Sequence, residues 1–209
     1  LYNYIMSATN AKVVFLTGSH PRHAHIALAL ANCGVLSGLI IEDREEHIPS
    51  PPDDISDELK EIFKLHFQKR HESENRFFGK IELPNVQKLY VSKEELNSQK
   101  VIDFIRSITP NLILSYGVHM LSDEVINSRQ GESWNIHGGL SPWYRGNITH
   151  FWPSYFLEPQ MTGMTVHDLT QKLDAGDVVH QYASELVKGD GIHDISCRAV
   201  VGISKEIPE

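Results

Sequence analysis

A chain of 209 residues is long enough for one domain with a sizeable hydrophobic core and short for two. Its composition, 41% hydrophobic and 22% charged, is that of a globular protein, and its apolar runs are strand-sized, which argues against a membrane partner or a spanning helix. A formal charge of −8 repels phosphodiester backbones, so no nucleic acid is expected as a partner.

The opening LYNYIMSATNAK has no basic segment followed by a long apolar one; no signal peptide is expected, and residues 1–11 read as a tail. KVVFLT (12–17) is a buried strand entering a turn at Gly18-Ser19, residues 21–33 are helix-favouring with Gly34 as the stop, and VLSGLII (35–41) is a second strand. No G-x-G-x-x-G follows the first strand, so no dinucleotide is expected. Residues 42–57 are an acidic, Pro-rich loop. Ile55, Leu59, Ile62, Phe63 and Phe67 then recur at helical spacing, predicting an amphipathic helix toward Arg76 whose Lys60, Lys64, Lys69 and Arg70 face solvent. QKLYVS (87–92) reads as a strand, and 93–108 as a helix with Val101, Phe104, Ile105 and Ile108 inward, ended by Pro110. NLILSYG (111–117) is a strand, and Ser122 caps a short helix that begins with Asp123 and Glu124. SWNIHGG (133–139) is a strand entering a Gly-rich bend. Residues 147–157 are expected to form a late-starting helix around Pro153 that buries Ile148, Phe151, Trp152, Tyr155 and Phe156. TGMTVHDLT and DVVHQYASEL are strands, and a helix from Asp190 turns Ile192, Ile195, Ala199 and Val200 inward. Strands alternating with helices predict one α/β domain over 12–209, with an open, twisted, mostly parallel sheet and helices on both faces.

Two cysteines, Cys33 and Cys197, stand far apart outside any metal-like spacing, so two thiols in a reducing cytoplasm are expected rather than a disulfide. Among twelve histidines the one cluster is His20, His23 and His25, whose spacing does not put all three on one helical face. They read as loop or helix-start residues facing a ligand, and no metal is assigned.

Ligands of open α/β sheets bind beyond the carboxyl ends of the strands. Three segments fall there: Ser115-Tyr116-Gly117, Asn135-x-His137-Gly138-Gly139 and Leu173-Asp174-Ala175-Gly176. Asn135 and His137 are two apart on a strand, so their side chains point the same way and can polarise one carbonyl oxygen. A carboxylate is the natural group to orient such an imidazole. On spacing alone, an Asn or His at a strand end is as readily structural, and Asp-x-Gly as readily a turn.

Four ordered motifs resemble the formyltransferase family that uses 10-formyltetrahydrofolate, which includes glycinamide ribonucleotide transformylase, methionyl-tRNA formyltransferase and sugar-nucleotide N-formyltransferases. They are Asn135-x-His137, the loop SPWYRG, the strand TGMTVH and Asp174-x-Gly176, with Asp174 lying 37 residues beyond His137. The resemblance implies a Rossmann-like formyltransferase fold and a cytoplasmic one-carbon transferase without a metal. It implies that Asn135 and protonated His137 bind the formyl oxygen and stabilise the oxyanion, while Asp174 keeps His137 charged and helps carry a proton. An adjacent carboxylate is then expected to lift the His137 pKa above about 6.5. The donor, 10-formyltetrahydrofolate, would rest along Tyr116, Gly117 and Val118, with Leu112 and Leu121 nearby and the loop from Asp168 to Asp174 on its other side. Tyr144 and Arg145 would face the acceptor, and Gly18, Ser19 and His20 would meet an acceptor phosphate at a helix N-terminus.

Departures narrow the acceptor. Gly139-Leu140-Ser141-Pro142 stands where relatives read Ser-Leu-Leu-Pro, and the first loop lacks the Gly-Ser-Asn of the glycinamide ribonucleotide enzyme. Acidity and the lack of a tRNA-binding barrel argue against methionyl-tRNA. A C-terminal region that relatives often use for dimerisation or acceptor binding is expected to be missing, though a homodimer stays compatible with the family. The expected acceptor is a small primary amine, by elimination a nucleotide-linked amino sugar. The alternatives are a formyltetrahydrofolate hydrolase and a non-catalytic folate- or nucleotide-binding module.

Overall fold

Alternation along the first strand sets the layers. In β1 (Val13–Thr17), Val13 and Phe15 join one apolar cluster and Val14 and Leu16 another, on the two faces of the sheet. The computed structural model describes residues 11–44, 48–80 and 82–207; most of the sequence-assigned tail, residues 1–10, lies outside them. After β1 come α1 (Pro21–Asn32), β2 (Leu36–Glu42), α2 (Asp57–Phe78), β3 (Gln87–Val91), α3 (Gln99–Ile108), β4 (Leu112–Tyr116), α4 (Asp123–Ile126) and β5 (Glu132–His137). They are followed by α5 (Trp152–Tyr155), β6 (Gly163–Asp168), β7 (Val178–Ala183) and α6 (Ile192–Glu206).

The seven strands lie in the order β3-β2-β1-β4-β5-β6-β7. Strands β1 to β5 are parallel, whereas β6 runs antiparallel to β5 and β7 to β6. One face is covered by α1, α2 and α6, where Ile26, Leu30, Phe78, Val200 and Ile203 pack on Phe15 and Leu39. On the other, Val101, Ile105 and Val125 of α3 and α4 pack on Leu16 and Ile113. This is the open, mostly parallel sheet with helices on both faces that the sequence predicts. Strand order reverses between β1 and β4, so the loops leaving them diverge and open a crevice. No helix among the described residues is long and apolar enough to cross a membrane.

One cap falls where the sequence puts it: Ser122 accepts from Val125 N at the start of α4. At the start of α2, Ser56 accepts from Leu59 N. Three expectations are corrected. Residues 93–98 form turns, and α3 starts after Ser98. The apolar stripe of α2 does not pack as core: Leu59 and Ile62 are exposed and Phe63 and Phe67 only half-buried, because only the C-terminal part of α2, with Ser73, Glu74 and Phe78, reaches the body of the domain. The expected helix over 147–157 is four residues long, and Ile148, Trp152, Tyr155 and Phe156 are exposed. There Pro153, second in the helix, has no N–H to extend it backward. Cys33 and Cys197 are free thiols, one exposed and one buried.

Candidate functional site

Two clefts meet at the carboxyl ends of β4 and β5. The larger, about 350 Å³, is lined by His20, Arg22, His23 and Arg44 on one side, by Arg70 of α2, and by Tyr116–Val118, Asn135–Gly138, Gly146–Thr149, Leu173 and Asp174. The smaller, about 110 Å³, is lined by Ser115, Val118–Leu121, Ile126, Asn135, His167, Leu169, Thr170 and Lys172–Asp174. Asn135 and Asp174 line both.

Around Asp174 four side chains interlock. Its Oδ2 lies 3.4 Å from His137 Nδ1 and its Oδ1 lies 3.4 Å from His167 Nε2. The Gly146 N–H donates to Asp174 Oδ2 at 2.9 Å, which ties the loop after β5 to this carboxylate. Asp174 itself is held at φ 46°, in the left-handed region that Asp tolerates better than most residues. Asn135 is fixed by Ser115, whose hydroxyl donates to Asn135 Oδ1 at 2.8 Å, leaving Asn135 Nδ2 3.3 Å from His167 Nε2. His137 donates from Nε2 to the Tyr144 carbonyl at 2.7 Å. That approach depends on Gly139, where a Cβ would stand 2.5 Å from Tyr144 O and 2.8 Å from His137 Nε2.

Electrostatics correct one expectation. Burial pushes the His137 pKa below its ordinary 6.5, and this outweighs the upward pull of Asp174 and of the bond to Tyr144. Asp174 goes the opposite way for a buried carboxyl. Burial raises it, but the hydrogen bond to His167, the neighbouring His137 and the Gly146 N–H together hold it below the ordinary carboxylate value.

Elsewhere the candidates divide. Val118 lines both clefts, Tyr116 and Gly117 the larger, and Leu121 the smaller. The Tyr116 ring turns into the core, edge-on to His23 at 4.8 Å and hydrogen-bonded to Arg22, so only its backbone is available to a ligand. Gly117 has φ 67°, and a Cβ there would lie 2.6 Å from His23 Nε2. Buried Glu42 accepts from the His119 backbone N–H at 2.9 Å and also bonds its ring, pinning the turn after β4. Asp168 lines neither cleft; its carbonyl accepts from His167 Nδ1 at 2.8 Å. His20 lines the larger cleft, whereas exposed Ser19 does not, and buried Gly18 packs against His23. Tyr144 contributes its carbonyl rather than its ring, since its hydroxyl donates to Glu158 at 2.6 Å, and Arg145 is exposed outside both clefts. His25 points away, to Ser204 of α6, so the three clustered histidines diverge.

Sequence reasoning quoted His167 only as the end of the TGMTVH motif and gave it no role, did not single out Arg22 or Arg44, and assigned Arg70 to a solvent-facing side of α2, whereas Arg70 lines the cleft. Arg22 is held by an ion pair with buried Glu74, and the Arg44 guanidinium donates to Gly117 O at 3.0 Å. A −8 chain thus concentrates three guanidinium groups beside one carboxylate.

A family model described as formyl transferase matches residues 50–201. The fold is shared with the phosphoribosylglycinamide formyltransferase of Anaplasma phagocytophilum (17% identity, 95% of this chain and 84% of that one, TM-score 0.65). It is shared also with glycinamide ribonucleotide transformylase 1 of Symbiobacterium toebii (15% identity, 98% and 87%, TM-score 0.63). A sugar N-formyltransferase of a Shewanella species is similar over 93% of this chain and 67% of its own, at 14% identity and TM-score 0.55.

Proposed function

The chain belongs to the formyl transferase family, and from that premise we propose that it moves the formyl group of 10-formyltetrahydrofolate onto a primary amine of a small acceptor, a nucleotide-linked amino sugar. The observation that carries this reading is the position of Asn135, His137 and Asp174 where two clefts join, with Asn135 and Asp174 lining both. Transfer between two bound molecules requires such a junction, because the reacting atoms must meet in attack geometry.

The smaller cleft suits the donor. Val118, Leu121 and Leu169 offer apolar surface to a flat pterin, and the peptide edges of 118–121 and 169–173 can meet its polar rim. The larger cleft suits an anionic acceptor. Arg22, Arg44 and Arg70 present guanidinium forks that match phosphate oxygens. Glycinamide ribonucleotide fits less well. The N-terminus of α1 carries Pro21, which has no N–H for a phosphate, and Ser19 stands outside the cleft.

At the junction, Asn135 exchanges its 3.3 Å contact with His167 for the formyl oxygen, and His137 supplies the second donor by exchanging its Nε2 bond to the Tyr144 carbonyl for the same oxygen. Both bind more tightly as negative charge grows on that oxygen during attack by the neutral amine. Asp174 accepts the proton that leaves the amine, directly or through water. The proton ends on N10 of the folate as the bond from N10 to the formyl carbon breaks, giving a formamide and tetrahydrofolate. Losing one oxyanion donor typically costs ~3–4 kcal/mol of barrier, a factor of about 10²–10³ in rate.

The test is release of tetrahydrofolate with and without pools of nucleotide-linked amino sugars. Acceptor-dependent release that disappears in His137→Ala is expected. Equal release without an acceptor would replace the reading by hydrolysis, and no release in any pool would remove the assigned acceptor class.

A further inference from the structure

A chamber of about 490 Å³ opens behind the larger cleft and shares Arg22, Arg70 and Ile148 with it. Its other walls are Phe63, His66 and Phe67 of α2, His150–Trp152, and Ile192, His193 and Ser196 at the start of α6. Phe63 and Phe67 belong to the apolar stripe that periodicity marks on α2, and the structure sets them at the wall of an open space.

The walls have a particular chemistry. Phe63 and Phe67 lie 4.6 Å apart between ring centroids, and Phe151 and Trp152 lie 5.4 Å apart. The Arg70 guanidinium sits 4.7 Å over the Phe67 ring, where the chamber meets the cleft. The His66 and His193 rings are 4.6 Å apart at the wall. Burial and neighbouring positive groups depress the pKa of both, that of His193 to about 4, so near pH 7 each is a neutral imidazole with one donor and one acceptor. Among the described residues neither ring nitrogen pair is occupied by a hydrogen bond. His150, by contrast, bonds Gly163 O and Ser196 Oγ and serves as structure.

An aliphatic tail would leave the two imidazole edges without partners. A plain phenyl ring would do the same. A nucleobase stacks on the aromatic rings and carries N–H and C=O groups for the imidazoles. The guanidinium groups of Arg22 and Arg70, which chamber and cleft share, stand where phosphates would follow the base. We propose that this chamber seats the base of the nucleotide-linked acceptor, with its phosphates across Arg22 and Arg70 and its amine reaching His137. The assignment rests on the formyl-transfer reading and extends it to a named subsite.

The experiment is calorimetric titration of the full chain with uridine, thymidine, cytidine, guanosine and adenosine 5′-diphosphates, with ribose 5-phosphate as the baseless control. Binding of 5-formyltetrahydrofolate in the same preparations reports the donor side. At least one nucleoside diphosphate is expected to bind tenfold or more tightly than ribose 5-phosphate. Phe63→Leu combined with Trp152→Leu should erase that preference while leaving ribose 5-phosphate and 5-formyltetrahydrofolate affinities within twofold. Saturation-transfer NMR on the unmodified chain, which does not depend on the variant folding, should show stronger saturation of base protons than of ribose protons. No preference over ribose 5-phosphate, or saturation strongest on the ribose, overturns the base subsite. If 5-formyltetrahydrofolate still binds, that failure leaves formyl transfer standing, whereas loss of folate binding in the unmodified chain strikes the functional reading itself.

Discussion

Both ring nitrogens of His137 face oxygen: Nε2 the Tyr144 carbonyl and Nδ1 the Asp174 carboxylate. Only the doubly protonated ring donates to both, yet burial opposes that charge and the pKa falls below 6.5. Asp174 is therefore what keeps a charged His137 within reach. Asp174→Asn should move the His137 midpoint, followed by NMR, further down from its already lowered position, because the carboxylate is the strongest upward influence on it. A midpoint that rises in the variant would sink the pairing. The Asn135-x-His137 pair was legible because a strand has a period of two. The role of His167 was not legible, although the TGMTVH motif ends on it, since it meets Asn135 through the antiparallel register that sets them opposite each other on β5 and β6. Arg22, Arg44 and Arg70 come from three separate elements or loops and converge only through the fold, so no local spacing marks them.

Elements show where periodicity stops informing. The 3.6-residue pattern of α2 correctly predicts a helix and an apolar face but says nothing about what covers that face. Its anchoring instead uses polar groups: Glu74 pairs with Arg22 of α1, and Ser73 donates to Asp194 of α6 at 2.7 Å, beside Arg76 on the same carboxylate. Substitutions at the two ends should therefore behave oppositely to a core reading of the stripe. Ile62→Glu, at a residue 57% exposed, should change unfolding free energy by no more than about 0.5 kcal/mol. Glu74→Gln, at a side chain with no exposure, removes the charge partner of the partly buried Arg22 guanidinium and should cost about 3–5 kcal/mol. Urea denaturation of both variants decides it, and a larger loss from Ile62→Glu would restore the stripe to the core. The same limit explains residues 147–157, where aromatic density suggested a buried helix. Pro153 shortens that helix, and its side chains line or flank the open chamber.

At the scale of the molecule, histidines set how the fold meets acid. His23, His25, His66, His137, His150 and His193 all have pKa values depressed chiefly by burial. His150 is lowered to about 3 while it donates to Gly163 O and accepts from Ser196 between β6 and α6. Unfolded, such an imidazole takes a proton near its ordinary 6.5; folded, it does not. The unfolded chain then binds more protons below that pH, so stability is fully present above it and is lost as pH falls. The depressed carboxyls Asp174, Asp190 and Asp194 act in the same direction, but only as pH falls through the carboxylate range, well below the histidine window. Between about pH 6.5 and pH 5 the loss belongs to the imidazoles, and His150 alone should account for about 2 kcal/mol of it at 1.36 kcal/mol per pH unit. Urea midpoints at pH 7 and pH 5 at constant salt test this. The unmodified chain should weaken markedly between them, and His150→Gln, although less stable at pH 7, should lose about 2 kcal/mol less over the same interval. Equal losses in the two proteins would mean that His150 titrates in the folded state, and that the contact between β6 and α6 opens to water before the domain unfolds.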